Sequence, residues 1–182
     1  MDRIMDRIAC QSGVVVFDVE TTELIDSATP LHDMEVSVAC AVRMPGGCTH
    51  VGDAAVTRHT FWQRDALRGG RREGGEKIEK LLDNFDDASL IVAYNGRDFD
   101  MQVLRQYYGG DQARWEAHGR KLHDPMHEAN RASGGRRVRL ATLLQLNGMR
   151  GKHGEGGDAP GLWRAGKFDQ LERYCARAAE AL

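Results

Sequence analysis

The sequence has little of several features that mark specialised classes of protein. Its 182 residues include only four cysteines, and none of them form a C-x-x-C pair, which indicates reduced thiols rather than a disulfide framework or a zinc site. No apolar run reaches the length of a membrane span, and the N-terminus has no signal-peptide core. We therefore predict an intracellular protein with no membrane partner.

The sequence also has no large excess of positive or negative charge. The formal net charge is −2, so any binding of nucleic acid would need a local basic patch. The length and the 41% hydrophobic content predict a single domain over 1–182, with 1–12 as a flexible extension. The motifs described below come so close to both termini that a larger parent protein or complex is an open alternative.

Hydrophobic patterning predicts strands first and then alternating strands and helices. The predicted strands cover 13–22, 35–44, 48–51 as a hairpin partner, 57–62, 89–94 and 121–124. The predicted helices cover 76–85, 98–108, 111–118, 139–146 and 167–182, with another beginning at Pro125. Glycine-rich stretches at 68–75 and 148–161 are predicted to be loops. This order predicts an α/β fold, in which helices flank one mixed sheet.

Two carboxylates, Asp18 and Glu20, end the first predicted strand. Because strand side chains alternate, both point to the same face of the sheet. Neighbouring carboxylates repel each other, and a cation between them would relieve this repulsion. Oxygen ligands without sulfur favour Mg²⁺ or Mn²⁺. On this triplet alone, a strand end with two solvated acids is the alternative.

A second acidic motif follows the strand predicted at 89–94. It reads Asn-Gly-Arg-Asp-Phe-Asp over 95–100 and lies where the strand hands over to a helix. Ligands of α/β sheets usually bind at such strand ends. Asp100 is therefore a third carboxylate that could converge on Asp18 and Glu20. The alternative is an ordinary helix start, with Asp98 as its cap.

Together, F-D-V-E-T-T at 17–22 and N-x-x-x-F-D at 95–100 resemble the first two motifs of the DEDD superfamily of 3′–5′ exonucleases, which has a ribonuclease H-like fold. The resemblance runs from about Val14 to the C-terminus. It implies that Asp18, Glu20 and Asp100 bind two Mg²⁺ or Mn²⁺ ions. In the family, one ion activates the attacking water and the other steadies the leaving oxygen.

The third family motif lies on the last helix. In its tyrosine form, Tyr-x-x-x-Asp, the tyrosine orients the attacking water, and Tyr174 fits that position. The family aspartate is replaced by Ala178, and Glu180 lies on roughly the opposite side of the helix. The histidine form matches 153–158 literally, but three glycines and Pro160 argue against a helix there. The tyrosine form therefore fits better.

Replacement of one carboxylate by Ala178 is expected to weaken the second metal site, because hard cations need several oxygen ligands. Three explanations are open. They are a deliberate replacement of the aspartate, a naturally inactive protein, or an enzyme in which three carboxylates suffice at a reduced rate.

The resemblance implies that the substrate is the 3′ end of single-stranded DNA or RNA. A polyanion needs a basic track, and the densest basic stretch lies between 131 and 152; the alternative is a solvated loop. Asp124, at a strand end, is a candidate for a supporting acid. The candidate nucleic-acid contacts are Thr21, Thr22, Asn95, Phe99, Arg137, Arg139 and Lys152.

Three other functions are consistent with the sequence. An exonuclease fold without turnover would bind nucleic acid or a protein partner. An endonuclease of the wider fold would cut circular single strands. A metal-independent scaffold would not be stabilised by Mn²⁺.

Overall fold

The computed structural model describes residues 13–25, 29–46, 56–63, 76–149 and 158–182. Six strands in these ranges are β1 Val14–Thr21, β2 Val36–Met44, β3 Thr57–Trp62, β4 Glu76–Lys77, β5 Leu90–Val92 and β6 Leu122–His123. Seven helices are α1 Glu79–Asp87, α2 Asp100–Leu104, α3 Gln112–Lys121, α4 Pro125–Ala132, α5 Leu140–Leu146, α6 Ala159–Arg164 and α7 Phe168–Glu180. Short 3-10 turns cover Leu31–Asp33 and Arg105–Tyr108. Within the described ranges, no helix is both long and apolar enough to cross a membrane.

The six strands form one mixed sheet in the order β4-β3-β2-β1-β5-β6. The first three strands are antiparallel neighbours joined in sequence, whereas β5 runs parallel to β1 and β6 runs parallel to β5. Parallel neighbours need crossover connections, which the helical segments between β4 and β6 supply. The predicted mixed sheet with flanking helices is confirmed, and β1 lies at its centre.

Alternation along β1 separates the main core from the candidate site. The odd-numbered β1 residues Val15, Phe17 and Val19 belong to the main core. Leu81 and Phe85 of α1 and Met101 of α2 pack in the same core. The opposite face is covered by α7, where Cys40 of β2 packs with Leu171 and Cys175. Because Cys40 pairs with Asp18 in register, Asp18 and Glu20 lie on the side that α7 covers.

Three predicted boundaries are corrected. The helix predicted over 76–85 begins only at Glu79, because Glu76 and Lys77 pair as a strand with Phe61 and Trp62. The loop predicted over 148–161 ends in α6, where Pro160 occupies the first turn, a position that requires no N–H donor. The helix predicted over 98–108 begins only at Asp100, with Phe99 rather than Asp98 as its N-cap, and its last turn is the 3-10 segment Arg105–Tyr108.

Other sequence predictions have different outcomes. β2 pairs with β1 on one side and, in antiparallel orientation, with β3 on the other. β3 is the strand predicted over 57–62. The predicted strand at 48–51, the loop at 68–75 and the extension at 1–12 lie outside the described residues. The short strand predicted at 121–124 is confirmed as β6, at the edge of the sheet.

A buried histidine ties three helical segments together behind the main core. Nδ1 of His118 lies 2.8 Å from the hydroxyl of Tyr108, and its Nε2 lies 2.8 Å from Oδ1 of Asp86. Because a carboxylate only accepts, Nε2 carries the proton and Nδ1 accepts from the tyrosine. Neutral His118 thus satisfies both ring nitrogens, and burial lowers its pKa despite the contact with Asp86.

Acidification should destabilise the protein through His118. The unfolded chain protonates this residue near its ordinary pKa of 6.5, whereas the folded chain resists protonation. The stabilisation is complete above that pH and is lost as the pH falls through the lower folded pKa. We expect the Tm to fall as the pH drops below about 6.5, and to fall less in His118→Gln, as measured by circular dichroism. Exposed His32→Gln is the control, and an identical fall in all three proteins would contradict this role.

Candidate active site

A cavity of about 360 Å³ opens at the C-terminal end of β1. Asp18 and Glu20 of β1, Asp100 of α2 and Tyr174 of α7 all line it. These four residues were the predicted catalytic set. The structure therefore brings them together from three elements that are far apart in the sequence.

The end of β1 is shaped by a break in strand pairing. Asp18 pairs with Cys40 and Glu20 with Val38, and the register shifts between Glu20 and Thr21. Such irregularities re-aim side chains beside functional sites. Thr21 then donates its hydroxyl to the carbonyl of Glu23 at 2.6 Å, which directs the chain along the cavity.

Asp100 is anchored to β1 by its side chain. The backbone N–H of Val19 donates to Oδ1 of Asp100 at 3.0 Å, in a buried position. Burial raises the pKa of Asp100 well above its usual range, and the nearby charge of Asp18 raises it further, against the effect of the hydrogen bonds. Burial and the charge of Asp18 therefore both oppose the ionisation of Asp100.

The turn that delivers Asp100 is organised by Asp124, which is buried. Its Oδ1 accepts from the N–H groups of Asn95 and Met126, and its Oδ2 accepts from the N–H of Arg97. Asn95 adopts a φ of 64°, which orients this turn. Gly96 follows because a Cβ there would collide with the Cβ of Ala93. Asp124 thus supports the site through backbone contacts, which agrees with its predicted supporting role.

Replacement of Asp124 by asparagine should loosen this turn. One amide oxygen cannot replace both carboxylate oxygens, and hydrogen bonds to charged groups contribute roughly 1.5–3 kcal/mol. We expect Asp124→Asn to lower the free energy of unfolding in urea by about 2 kcal/mol. Asp98→Asn, at an exposed carboxylate three residues after Asn95, is the control and should change it little. Equal effects of the two substitutions would refute the bracing role.

One face of α7 closes the site. Leu171, Tyr174, Cys175 and Ala178 are buried on it, and the helix packs on β1 and β2. The thiol of Cys175 donates to the backbone carbonyl of Asp18 at 3.3 Å, which sets the position of α7 against β1. Ala178 lies one turn after Tyr174 on this face and is fully buried. The position predicted for the missing carboxylate therefore faces the sheet.

A second cavity, of about 640 Å³, adjoins the first. Asp18 and Tyr174 line both, and the second also includes Asn95, Arg137 and Arg139. Three predicted nucleic-acid contacts therefore lie beside the carboxylates. The hydroxyl of Tyr94 holds the adjoining segment by donating to the carbonyl of Val138 at 2.5 Å.

The other predicted contacts have mixed positions. Thr21 and Phe99 line the first cavity, which we call the carboxylate cavity because Asp18, Glu20 and Asp100 line it. The hydroxyl of Thr21 already donates to the carbonyl of Glu23. Thr22 donates its backbone N–H to the carbonyl of Glu35 at 3.0 Å. Lys152 lies outside the described residues.

Sequence reasoning missed two apolar side chains at the cavity. Leu24 and Ile25 line it and are 56% and 63% exposed. The available signal was an adjacent Leu-Ile pair in an otherwise polar loop. These side chains give the carboxylate cavity an apolar wall.

The donor set fits a hard divalent cation in kind, because Asp18, Glu20 and Asp100 offer only carboxylate oxygens. In arrangement, no three His, Cys, Asp or Glu side chains of the described residues are placed to hold an ion. Oδ1 of Asp100 is directed to the N–H of Val19 instead. The N–H of Val19 occupies one oxygen of Asp100, and a carboxylate has a second oxygen that can bind a cation.

Comparison with known proteins finds likeness in structure only. No protein-family model and no curated protein matches the sequence. The family B DNA polymerase from the archaeon Pyrobaculum calidifontis is similar with a TM-score of 0.61 at 17% identity, over 93% of this chain and 23% of that chain. One structure of exonuclease I has a TM-score of 0.55 at 16% identity, over 88% and 40%. E. coli exonuclease I in complex with a 5cy-dT13 oligonucleotide has a TM-score of 0.52 at 17% identity, over 91% and 43%.

At these identities the likeness establishes the fold. The six-stranded mixed sheet with flanking helices matches the ribonuclease H-like exonuclease neighbours, which confirms the predicted fold class. The chain spans less than half the length of each of these proteins.

Proposed function

We propose that this chain is a tyrosine-type DEDD 3′–5′ exonuclease that hydrolyses single-stranded nucleic acid with divalent metal ions, and that Ala178 impairs it. The observation that carries the proposal is the convergence of Asp18, Glu20, Asp100 and Tyr174 on one cavity. The fold shared with exonuclease I, including a structure with a bound oligonucleotide, supports it.

Each of the four residues has a distinct part in the reaction. Mg²⁺ or Mn²⁺, when bound, supplies Lewis acidity for the attacking water and the leaving oxygen. Asp18, Glu20 and Asp100 would hold these ions, and the bond from Val19 sets where Asp100 enters the site. Tyr174 orients the attacking water through its hydroxyl.

The walls of the two cavities suit a single strand with its 3′ end inside. Arg137 and Arg139 are exposed beside Asp18, where they neutralise phosphates. Leu24 and Ile25 offer apolar surface to the terminal bases. Phosphate neutralisation and apolar contact act on any base, so we expect little sequence preference.

Single-strand binding without cleavage is a second candidate function. Ala178 favours it, because a buried methyl group stands where the family has a carboxylate. Restoring the carboxylate distinguishes the two candidates.

Ala178→Asp should restore or increase cleavage. A fourth carboxylate adds an oxygen ligand on the face of α7 that carries Tyr174. We expect this variant to trim a 5′-labelled single-stranded oligonucleotide into a 3′ ladder with Mn²⁺ or Mg²⁺. The unchanged protein should cut at least about tenfold more slowly, which corresponds to about 1.4 kcal/mol of activation free energy.

Ala178→Asn is the matched control, because it adds nearly the same volume without the charge. It should not increase cleavage. If Ala178→Asp folds but cuts neither DNA nor RNA, the exonuclease proposal fails and the binding function replaces it. A circular single strand tests for endonuclease activity in parallel.

Mn²⁺ should raise the Tm of Ala178→Asp more than that of the unchanged protein. Ions that bind only the folded state stabilise it by mass action, by about 2.7 kcal/mol at 100 times the dissociation constant. We expect Asp18→Ala to keep its circular dichroism spectrum and to lose the Mn²⁺-dependent shift, while exposed Asp33→Ala keeps the shift. A globally unfolded Asp18→Ala, or a shift that survives in it, would refute the ligand role.

A further inference from the structure

A third cavity, of about 650 Å³, lies between α6 and α7, and we call it the α6–α7 groove. Its lining includes three basic residues, Lys167, Arg173 and Arg177, and one acid, Asp158. Tyr174 also lines it. Neither the carboxylate cavity nor the cavity at Arg137 includes these basic residues in its lining.

The α7 residues that line the groove form a regular stripe, which includes two of its basic residues. Gln170, Arg173, Tyr174 and Arg177 are spaced i, i+3, i+4 and i+7, so they lie on one side of the helix. Arg173 and Arg177 are exposed, whereas Tyr174 is buried at the border with the apolar face. The stripe therefore runs along the outside of the helix that supplies the catalytic tyrosine.

The three basic side chains of this groove outnumber its one acid, Asp158. Arg43, Arg58 and Arg114 each form an ion pair with Asp or Glu. In contrast, Lys167, Arg173 and Arg177 have no such ion pair with any described residue; Arg173 donates from Nε to the carbonyl of Asp169 at 3.0 Å. Three cations that form no ion pair within the described residues, against one acid in the same lining, mark a surface suited to a polyanion.

Tyr174 connects the groove to the candidate active site, because it lines all three cavities. Asp18 lines only the carboxylate cavity and the cavity of Arg137 and Arg139, so those arginines lie nearer the reacting phosphate. A strand with its 3′ end at Asp18 would reach the α6–α7 groove after passing Tyr174.

We propose that the α6–α7 groove binds the phosphate backbone of the single strand on the 5′ side of its terminal nucleotides, through Lys167, Arg173 and Arg177. This inference rests on the nucleic-acid substrate of the proposed function. It adds a second backbone contact, which makes affinity depend on strand length. Terminal nucleotides alone would occupy the carboxylate cavity and leave the groove empty.

The test compares strands of two lengths without metal, so that no cleavage occurs. The groove variant carries Lys167→Gln, Arg173→Gln and Arg177→Gln. The control variant removes equal charge from the opposite face of the sheet, through Lys80→Gln, Arg105→Gln and Arg120→Gln. Fluorescence anisotropy in EDTA measures binding of 5′-labelled dT12 and dT3, and of rU12 and rU3, over a range of salt concentrations.

We expect the groove variant to bind the 12-mers at least about tenfold more weakly than the control variant, and the 3-mers equally well. Each lost phosphate contact should reduce the slope of log K against log salt by about 0.7, or about 2 for three contacts. A groove variant that binds 12-mers as the control does would overturn the groove alone. If the unchanged protein binds none of the four strands, the nucleic-acid substrate of the proposed function fails too, and the groove with it.

Discussion

The hydrogen bond from the N–H of Val19 to Asp100 joins the two halves of the candidate site. It carries the carboxylate of α2 to the end of the central strand, beside Asp18, in a buried position where like charges repel. Burial and repulsion together oppose the ionisation of Asp100, and a bound cation would relieve both. The same constraint accounts for Asp124, which must hold the turn before α2 through three backbone N–H groups.

The two faces of the sheet have different roles, because one packs into the main core and the other carries the candidate site. The odd face of β1 packs into the main core, and the even face carries Asp18 and Glu20 beneath α7. α7 performs two tasks: its apolar face closes the sheet with Leu171 and Cys175, and its border presents Tyr174 to the cavities. Ala178 lies in the apolar part, so it preserves packing where a carboxylate would require a cation.

Local periodicity predicted much of this arrangement. The period of two placed Asp18 and Glu20 on one face. Composition predicted α7, and the resemblance to the tyrosine motif pointed to Tyr174 and Ala178, which lie one turn apart on it. Prediction from local patterns was wrong where strand pairing, or the tolerance of the first helical turn for proline, overrides local composition. Glu76 and Lys77 follow the helical pattern but pair with β3, and Pro160 begins a helix after a glycine-rich run. The apolar wall of Leu24 and Ile25 was missed because exposure depends on what packs nearby.

The sequence by itself determined the main elements and the chemical character of the site, because the period of side chains and the identity of carboxylates are local properties. Only the tertiary structure decided that Asp100 bonds to Val19, that Asp124 braces the turn, and that Tyr174 borders three cavities. Those relations depend on sheet order and on how α7 crosses β1 and β2. Contacts between residues so far apart in the chain arise from the packing of whole elements, which local patterns do not encode.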